Sequence, residues 1–422
     1  MSIEAVNTLV VGAGQAGIAM SEHLGSHGIT HVVLERAHIA DRWHNGRWDS
    51  LVANGPAWHD RFPGRKFNAV DQDSFVPKEQ VAAYFEAYAK DIDAPVRCGV
   101  DVLEVQRQIG KSGFLIKTSA GTLEAQNVVA ATGAFQHPII PAIIPDDAGV
   151  TQIHSIDYCN PDQLPAGAVM VVGAGSSGVQ IAQELQRAGR SVYLCVGPHD
   201  RPPRRYRGRD NVWWLGVLGL WDAAALAPGK ERFTICVSGA DGGKTVDFRR
   251  LAGEGITLLG MAQTYDGGVL SIARDLTENI AVGDASYLAM LDLADQYVIR
   301  NGLDLPLESE ARMFEGDPDC VTNPLLSVEL KEAGINSVVW ATGFSQDFGW
   351  LKVDTFDEAG NPLHRRGVGA EAGIFFLGLP WQTRRASSFI WGVWHDAKEI
   401  ADHIAQQNNY LNYHAEADEK LS

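Results

Sequence analysis

The sequence has few cysteines, and their spacing excludes several kinds of chemistry. The five cysteines of this 422-residue chain lie far apart, and no two of them form a CxxC or CxxxxC pair: Cys98, Cys159, Cys195, Cys236 and Cys320. A redox disulfide is therefore not expected, and dispersed cysteines are typical of free or buried thiols in a reducing compartment. The thirteen histidines also lack the HExxH or paired Cys/His spacing of a zinc site. The sequence disfavours a flavin-based disulfide reductase and predicts no metal site.

Positive charge and long apolar runs are also scarce. Thirty-five lysines and arginines stand against 52 aspartates and glutamates, a net charge of −17, which disfavours nucleic acid or an anionic membrane as a partner. The most apolar stretch, Trp213–Trp221, is far shorter than the roughly 20 residues that a membrane-spanning helix requires. The first residues lack the positively charged region of a signal peptide. We therefore expect a cytoplasmic protein without a membrane span, and a homodimer stays an open alternative.

Glycine is abundant, and six of the 44 glycines form two copies of one motif. The first copy, Gly12-x-Gly14-x-x-Gly17, follows the apolar run Thr8–Val11 and leads into a helix-like stretch. In this context the first glycine permits a tight turn, the second lets the backbone approach a pyrophosphate, and the third lets the helix pack closely on the strand. The helix N-terminus adds unpaired N–H groups that attract phosphate. The motif predicts an adenine-dinucleotide site.

An acidic residue ends the next predicted strand. His31–Leu34 reads as a strand, and Glu35 follows it, 18 residues after Gly17. A carboxylate at this position suits the hydroxyl pair of a ribose and repels a 2′-phosphate. The first site is therefore expected to hold a dinucleotide that has no 2′-phosphate.

The second copy follows a proline-marked linker, Pro138–Pro165. Its elements repeat the order of the first: a strand over Val169–Val172, the turn Gly173-x-Gly175-Ser176-x-Gly178, a helix over Val179–Ala188 and a strand over Ser191–Val196.

The end of this second unit differs from the first. Cys195 to Gly197 contains no acid, and Arg201, Arg204 and Arg205 follow in the loop. Arginine can hold a 2′-phosphate through two parallel hydrogen bonds. The sequence favours NADPH over NADH at this site, and the alternative is that the arginines form a solvated surface run.

Other elements are predicted around the two sites. Buried strands over Asn127–Ala131 and Ser337–Trp340 each end in an Ala-Thr-Gly turn, which makes Thr132 a candidate cofactor-binding residue. The remaining predictions are a helix over Pro77–Lys90, antiparallel strands over Val96–Val105 and Phe114–Thr118, a helix over Ala285–Arg300, a strand over Gly373–Leu379, and a helix capped by Ser387 and Ser388 that reaches Ile404.

Two aromatic segments have more than one interpretation. Trp43, Trp48 and Trp58 lie in the long irregular segment Ala37–Pro63, where they either offer flat faces to a ring or fill the domain core. Trp213–Trp221 either lines a substrate passage or clamps two domains together.

Two dinucleotide motifs in one chain, the first with an acid and the second with arginines, resemble the class B flavin-containing monooxygenases. The family signature F-x-G-x-x-x-H-x-x-x-(W or Y) is half present in AGVTQIHSIDY: His154 and Tyr158 match, whereas Ala148 and Val150 replace the aromatic residue and the glycine.

Two shorter segments extend the resemblance. Trp43 ends Ala-Asp-Arg-Trp where the family has G-G-x-W, and Asn54 ends Ser-Leu-Val-Ala-Asn where the family has S-x-x-x-N. The resemblance implies that this asparagine lies near the flavin and the nicotinamide.

The resemblance implies an α/β fold with two Rossmann-like dinucleotide-binding domains, the NADPH domain inserted into the FAD domain. The expected boundaries are 1–160 and 325–422 for the FAD domain and 161–324 for the NADPH domain. The implied activity is insertion of one oxygen atom of O2 into a small organic substrate through a C4a-(hydro)peroxyflavin. Tyr158 in place of tryptophan favours N- or S-oxygenation over Baeyer–Villiger chemistry.

The same resemblance assigns roles to the candidate residues. Asn54 is expected to be catalytic, as an amide that hydrogen-bonds the oxygen adduct and NADP⁺, and Trp43 is expected to shape the flavin pocket. His154 and Tyr158 complete the catalytic set by joining the two domains. Because the signature is incomplete, a flavin-dependent NADPH oxidase or dehydrogenase without oxygen insertion is the alternative, and a non-catalytic nucleotide sensor is a third class.

Overall fold

Two sheets organise residues 3–224 and 234–413, which are the residues that the computed structural model describes. The first sheet has ten strands, and its centre is parallel. In spatial order the parallel strands are Val96–Cys98, His31–Glu35, Glu4–Val11, Gly121–Ala130 and Ile374–Phe376. The sheet is completed by Phe114–Thr118, Val102–Arg107 and Leu351–Lys352 on one path, and by Val368–Gly369 and His364–Arg365 on the other.

The second sheet has five strands, all parallel. In order they are Thr151–His154, Ile335–Trp340, Ala168–Val172, Val192–Cys195 and Ile256–Leu259. Four of these strands are mostly buried, as expected for a parallel sheet covered on both faces, and the edge strand Thr151–His154 is partly exposed. The predicted α/β fold with two dinucleotide-binding units is confirmed.

The strand pairing corrects the predicted domain boundaries at 160 and 325. Thr151–His154 and Ile335–Trp340 belong to the second sheet, where they pair with each other. The chain passes from the first sheet to the second near His137–Pro138 and returns near Phe344–Ser345. These two crossing segments pair with each other as short antiparallel strands. The predicted linker Pro138–Pro165 therefore contains a strand of the second sheet, because a strand that pairs with a distant partner leaves no local signal.

The helices follow their local signals closely where caps are present. The longest, Leu276–Asn301, ends at Gly302 with φ +60°, the left-handed C-terminal conformation that glycine adopts readily. It begins nine residues before the predicted start at Ala285. The other helices are Gln15–Ser26, Asp41–His44, Lys78–Asp91, Ser176–Arg187, Asn211–Val217, Ala240–Gly243, Phe248–Gly253, Asp319–Thr322 and Ile390–Leu411. No helix among the described residues is long and apolar enough to cross a membrane.

Short strands and 3-10 turns connect these layers. The paired short strands are Val52–Pro56 with Phe75–Pro77, His199–Asp200 with Thr234–Ile235, Arg205–Tyr206 with Arg209–Asp210, and the group Ala262–Asp266, Val269–Ile272 and Ser327–Glu329. The 3-10 turns are Pro161–Gln163, Leu220–Asp222, Ser309–Arg312 and Arg385–Ser388.

Two local predictions are wrong. The expected strand Val96–Val105 is divided: Val96–Cys98 pairs in parallel with His31–Glu35, and only Val102–Arg107 pairs antiparallel with Phe114–Thr118. Ser387 does not cap the C-terminal helix, because its hydroxyl accepts from the backbone N–H groups of Thr383 and Arg384.

Buried histidines make the fold sensitive to acid. Burial lowers the pKa of six histidines below the usual value, so the folded protein keeps them neutral: His23, His31, His154, His199, His364 and His395. Below about pH 6.5 the unfolded chain binds protons that the folded chain excludes, and stability is lost as the pH falls.

We expect the melting temperature to be level above pH 7 and to fall as the pH drops from about 6.5 toward 5. Each such histidine should lower the free energy of unfolding by up to about 1.4 kcal/mol per pH unit in that range. Thermal unfolding followed by circular dichroism measures this. A melting temperature that stays level down to pH 5.5 would contradict the assignment.

Candidate dinucleotide and oxygenation site

The first glycine turn accepts only glycine at two of its positions. A Cβ on Gly12, whose φ is +105°, would lie 2.7 Å from the carbonyl oxygen of Ala131, and a Cβ on Gly17 would lie 1.8 Å from that of Gly12. Thr132 follows Ala131 and so borders the turn. Space beside Gly14 is open, with no atom within 4 Å of a Cβ placed there. The turn therefore has the close packing and the open middle position that a bound pyrophosphate requires.

Glu35 closes this site at the end of its strand. Its two carboxylate oxygens accept from the backbone N–H groups of Ala13 (2.8 Å) and Ala37 (3.0 Å). Each carboxylate oxygen has a further lone pair, so the group can still accept ribose hydroxyls. The residues present fit FAD at the first site.

The second glycine turn has the same backbone but is covered. Gly173 has φ +105°, and a Cβ on Gly178 would lie 1.8 Å from the carbonyl oxygen of Gly173. A Cβ on Gly175, however, would lie 2.5 Å from the methyl carbon of Thr234. Thr234–Val237, here called the cover segment, therefore lies where the first turn has open space.

Ser176 fastens the cover segment. Its hydroxyl donates to the carbonyl oxygen of Ile235 and accepts from the N–H of Val237, both at 3.1 Å. In this conformation Thr234 and a pyrophosphate cannot share the space above Gly175. The second turn fits a dinucleotide once the cover segment has shifted.

Asn54 lies between the two units. Its side-chain oxygen accepts from Gln180 (2.9 Å), which lies on the helix Ser176–Arg187 of the second turn. Its backbone oxygen accepts from the guanidinium of Arg204 (2.5 Å). The amide nitrogen of Asn54 donates to no group among the described residues, so it is available to a ligand.

Tyr158 acts on the same segment through a carboxylate. Its buried hydroxyl donates to Glu184 (2.7 Å), and Ser50, four residues before Asn54, donates to the other oxygen of Glu184 (2.6 Å). Burial is the main cause that raises the pKa of Tyr158 far above its usual value. Tyr158 therefore positions the segment that carries Asn54.

His154 stabilises the connection between the two sheets. Nε2 contacts the carbonyl oxygen of Gly343 (3.0 Å) and Nδ1 accepts from the N–H of Ile156 (3.2 Å). With both nitrogens occupied and the ring fully buried, His154 is a positioning residue. The expectation that His154 and Tyr158 complete the catalytic set by joining the two domains stays a prediction.

The arginines after the second unit have different environments. Arg201 pairs with Asp284 (2.7 Å) and is 2% exposed, and Arg204 pairs with Asp210 and is 1% exposed. A guanidinium committed to a buried carboxylate cannot receive a ligand phosphate. This corrects the 2′-phosphate prediction for Arg201 and Arg204, and Arg205 alone remains exposed.

The tryptophans of the irregular segment also separate. Trp48 is buried in the core of the second unit, whereas Trp43 is partly buried and contacts the cores of both units. His59, which the sequence did not single out, stacks between Trp221 (5.1 Å) and Trp391 (5.9 Å). The segment Trp213–Trp221 thus clamps the two units, one of its two interpretations.

Comparisons with known proteins match the whole fold. A pyridine nucleotide-disulphide oxidoreductase family matches residues 9–207. The solved structure of a flavin-containing monooxygenase from Stenotrophomonas maltophilia superimposes with a TM-score of 0.66 at 18% identity, covering 96% of this chain and all of that one. Indole-3-pyruvate monooxygenase YUCCA6 of Arabidopsis thaliana is 26% identical over 94% of this chain and 89% of its own length. An uncharacterized CzcO-like oxidoreductase of Geobacillus kaustophilus is 32% identical over 94% of this chain and 98% of its own length.

This chain belongs to the family of the CzcO-like oxidoreductases. Its fold is shared with flavin-containing monooxygenases of known structure. Burial raises the pKa of Cys195 and of Cys236 to about 12. Among the described residues no group of three or more side chains is arranged to hold a metal ion.

The two glycines of the first turn predict a matched pair of variants. Gly14 has φ −78° and open space, so Gly14→Ala should leave the melting temperature of the apoprotein within about 2 °C and weaken FAD at least about tenfold by entering the pyrophosphate position. Gly17→Ala should lower the melting temperature by more than about 10 °C, because the new Cβ meets backbone. Equal effects of the two variants on apoprotein stability would refute this account.

The cover segment predicts a change on binding. Saturation of the holoenzyme with NADP⁺ should speed hydrogen exchange at Val237, whose N–H loses its Ser176 acceptor when the segment shifts. Thr234→Ser removes the obstructing methyl group and should tighten NADP⁺ about threefold, whereas Thr234→Val keeps a methyl group there and should not. Binding of NADP⁺ with unchanged or slower exchange at Val237 would rule out the displacement.

Proposed function

We propose that this protein is an NADPH-driven, FAD-dependent monooxygenase that inserts one oxygen atom of O2 into a small organic substrate, with N- or S-oxygenation favoured over Baeyer–Villiger chemistry. The observation that carries the proposal is the free amide nitrogen of Asn54. It lies between the two dinucleotide units, where its oxygen is fixed by Gln180. A neutral amide can donate a hydrogen bond without supplying a strong acid.

The flavin, when bound, supplies the reaction with oxygen, and the protein supplies binding and orientation. Gly12, Gly14 and Gly17 would receive the FAD pyrophosphate, with Glu35 on the ribose and Thr132 beside the turn. Trp43, which lies between the two cores, would shape the flavin pocket. Asn54 would hydrogen-bond the oxygen adduct and the nicotinamide cofactor.

Positioning would come from the second unit. Tyr158 holds Glu184, Glu184 holds Ser50, and Arg204 holds the backbone of Asn54. His154 fixes the connection at Gly343. These contacts support a site in which the two units keep one relative placement, where a flavin and a nicotinamide cofactor, when bound, would supply the redox chemistry.

Fewer observations favour NADPH over NADH than favour a nicotinamide dinucleotide of either kind. Gly173, Gly175, Ser176 and Gly178 form the second turn, and Val196 stands at the position equivalent to Glu35, where an acid would exclude a 2′-phosphate. Among the predicted arginines only Arg205 is exposed.

The alternative, an NADPH oxidase or dehydrogenase without oxygen insertion, has one observation in its favour. Ala148 and Val150 replace two signature residues in the segment before His154. An oxidase would consume NADPH and release hydrogen peroxide in equal amounts.

The test is the stoichiometry of the holoenzyme with NADPH or NADH and three probes: thioanisole, N,N-dimethylaniline and cyclohexanone. The proposal expects sulfoxide or N-oxide in an amount close to the NADPH consumed, little lactone, and slower turnover with NADH. Hydrogen peroxide equal to the NADPH consumed, with no oxygenated product from any probe, would favour the oxidase.

Asn54 gives a sharper version of this test. Asn54→Ala and Asn54→Asp both remove the amide donor, and we expect each to raise hydrogen peroxide per NADPH by about tenfold without loss of bound FAD. Asn301→Ala is the control, because it removes an exposed amide that donates to the carbonyl oxygen of Tyr297 on its own helix. Full coupling in both Asn54 variants would remove Asn54 from the mechanism.

A further inference from the structure

A cleft of about 380 Å³ lies between the segment that follows Asn54 and a hairpin of the second unit. Its walls include Pro56, Trp58, Arg205, Arg209 and Trp213, and Asp73 is at its rim. The volume is that of a small-molecule site. We propose that this cleft binds a small planar anion, an aromatic ring that carries a carboxylate.

The positive charge in the cleft comes from a run of arginines with two kinds of surroundings. Arg201, Arg204 and Arg207 are buried and paired with Asp284, Asp210 and Asp295. Arg205 and Arg209 are exposed and form no ion pair among the described residues. They therefore present two guanidiniums that a carboxylate can reach, and arginine suits a planar carboxylate.

The hairpin Arg205–Asp210 that presents them is held firmly. The indole nitrogen of Trp214 donates to the carbonyl oxygen of Tyr206 (2.9 Å), and the N–H of Gly208 donates to Glu308 (3.0 Å). Arg207 is fixed at the turn by Asp295 (2.6 Å). A rigid frame lowers the entropy cost of binding a ligand to the exposed arginines.

Indole rings supply flat walls. The guanidinium carbon of Arg209 lies 5.5 Å from the ring centroid of Trp213, and Trp58 is held edge-on by His59 at 5.4 Å. Rings of this kind favour a ligand with its own aromatic face. Two carboxylates also line the cleft: Asp210 is neutralised by Arg204, and Asp73 would turn a bound anion toward the arginines.

The cleft lies beside the proposed oxygenation site. Pro56 is two residues from Asn54 in the same strand, Val52–Pro56. If the proposed function holds, the cleft is the approach for the substrate, and the substrate class is an aromatic acid with an oxidisable nitrogen or sulfur. Binding itself does not depend on that function, since it needs neither NADPH nor O2.

The experiment is isothermal titration of the oxidised holoenzyme, without NADPH, with phenylacetate, 2-phenylethanol and cyclohexylacetate. We expect phenylacetate to bind at least about tenfold more tightly than the neutral alcohol or the non-aromatic acid. Arg205→Gln/Arg209→Gln should weaken phenylacetate at least about tenfold. Arg300→Gln/Arg365→Gln, which removes two exposed arginines far from Arg205 in the sequence, is the charge-matched control and should change the affinity less than twofold.

Several outcomes would overturn the proposal. Equal binding of phenylacetate and 2-phenylethanol would exclude an anion site, and equal binding of cyclohexylacetate would exclude an aromatic one. A double variant that loses affinity for NADP⁺ but keeps its affinity for NAD⁺ would assign the arginines to the 2′-phosphate instead. Phenylacetate binding as expected, with no oxygenation of thioanisole or N,N-dimethylaniline, would uphold the cleft and count against the proposed function.

Discussion

The buried guanidinium of Arg204 connects the segment that carries Asn54 to the second unit. A charge that is 1% exposed is tolerated only with a partner, and Asp210 supplies it. The remaining N–H group of Arg204 reaches the backbone of Asn54, so the ion pair fixes the place of the proposed catalytic amide. Glu184, between Tyr158 and Ser50, adds a second attachment four residues earlier.

The features that the sequence predicted best are those determined by neighbouring residues. Both glycine turns, Glu35 and the helix after Pro77 occur where the local pattern predicts them, because their backbone conformations depend largely on nearby residues: Gly17 packs on Gly12, Gly178 packs on Gly173, and Glu35 accepts from Ala13 and Ala37. Ala40 illustrates the same rule in a departure from the family pattern: it has φ +57°, the conformation that explains a family preference for glycine there. The sheet to which Thr151–His154 and Ile335–Trp340 belong could not be predicted from local pattern, since their pairing partners are distant in sequence.

The two glycine turns show the limit of a motif. Gly14 and Gly175 occupy equivalent positions with similar backbone angles, yet open space adjoins the first and Thr234 adjoins the second. A side chain at position 175 would collide with Thr234 of the cover segment, so packing alone already requires a glycine there, whether or not a pyrophosphate binds. The motif therefore predicts the conformation of the turn, whereas the segments that pack on the turn determine whether a dinucleotide has room to bind.

The arginines after Cys195 show the same limit for charge. The spacing of these arginines is that of a basic surface run, but only some of them are exposed. Arg201, Arg204 and Arg207 are buried, whereas Arg205 and Arg209 are exposed. In a chain with 17 more acids than bases, an inward arginine meets a carboxylate and becomes part of the core. An outward one on a rigid hairpin keeps its charge for a ligand, so a protein that repels anions overall can still bind one where its backbone holds two guanidiniums together.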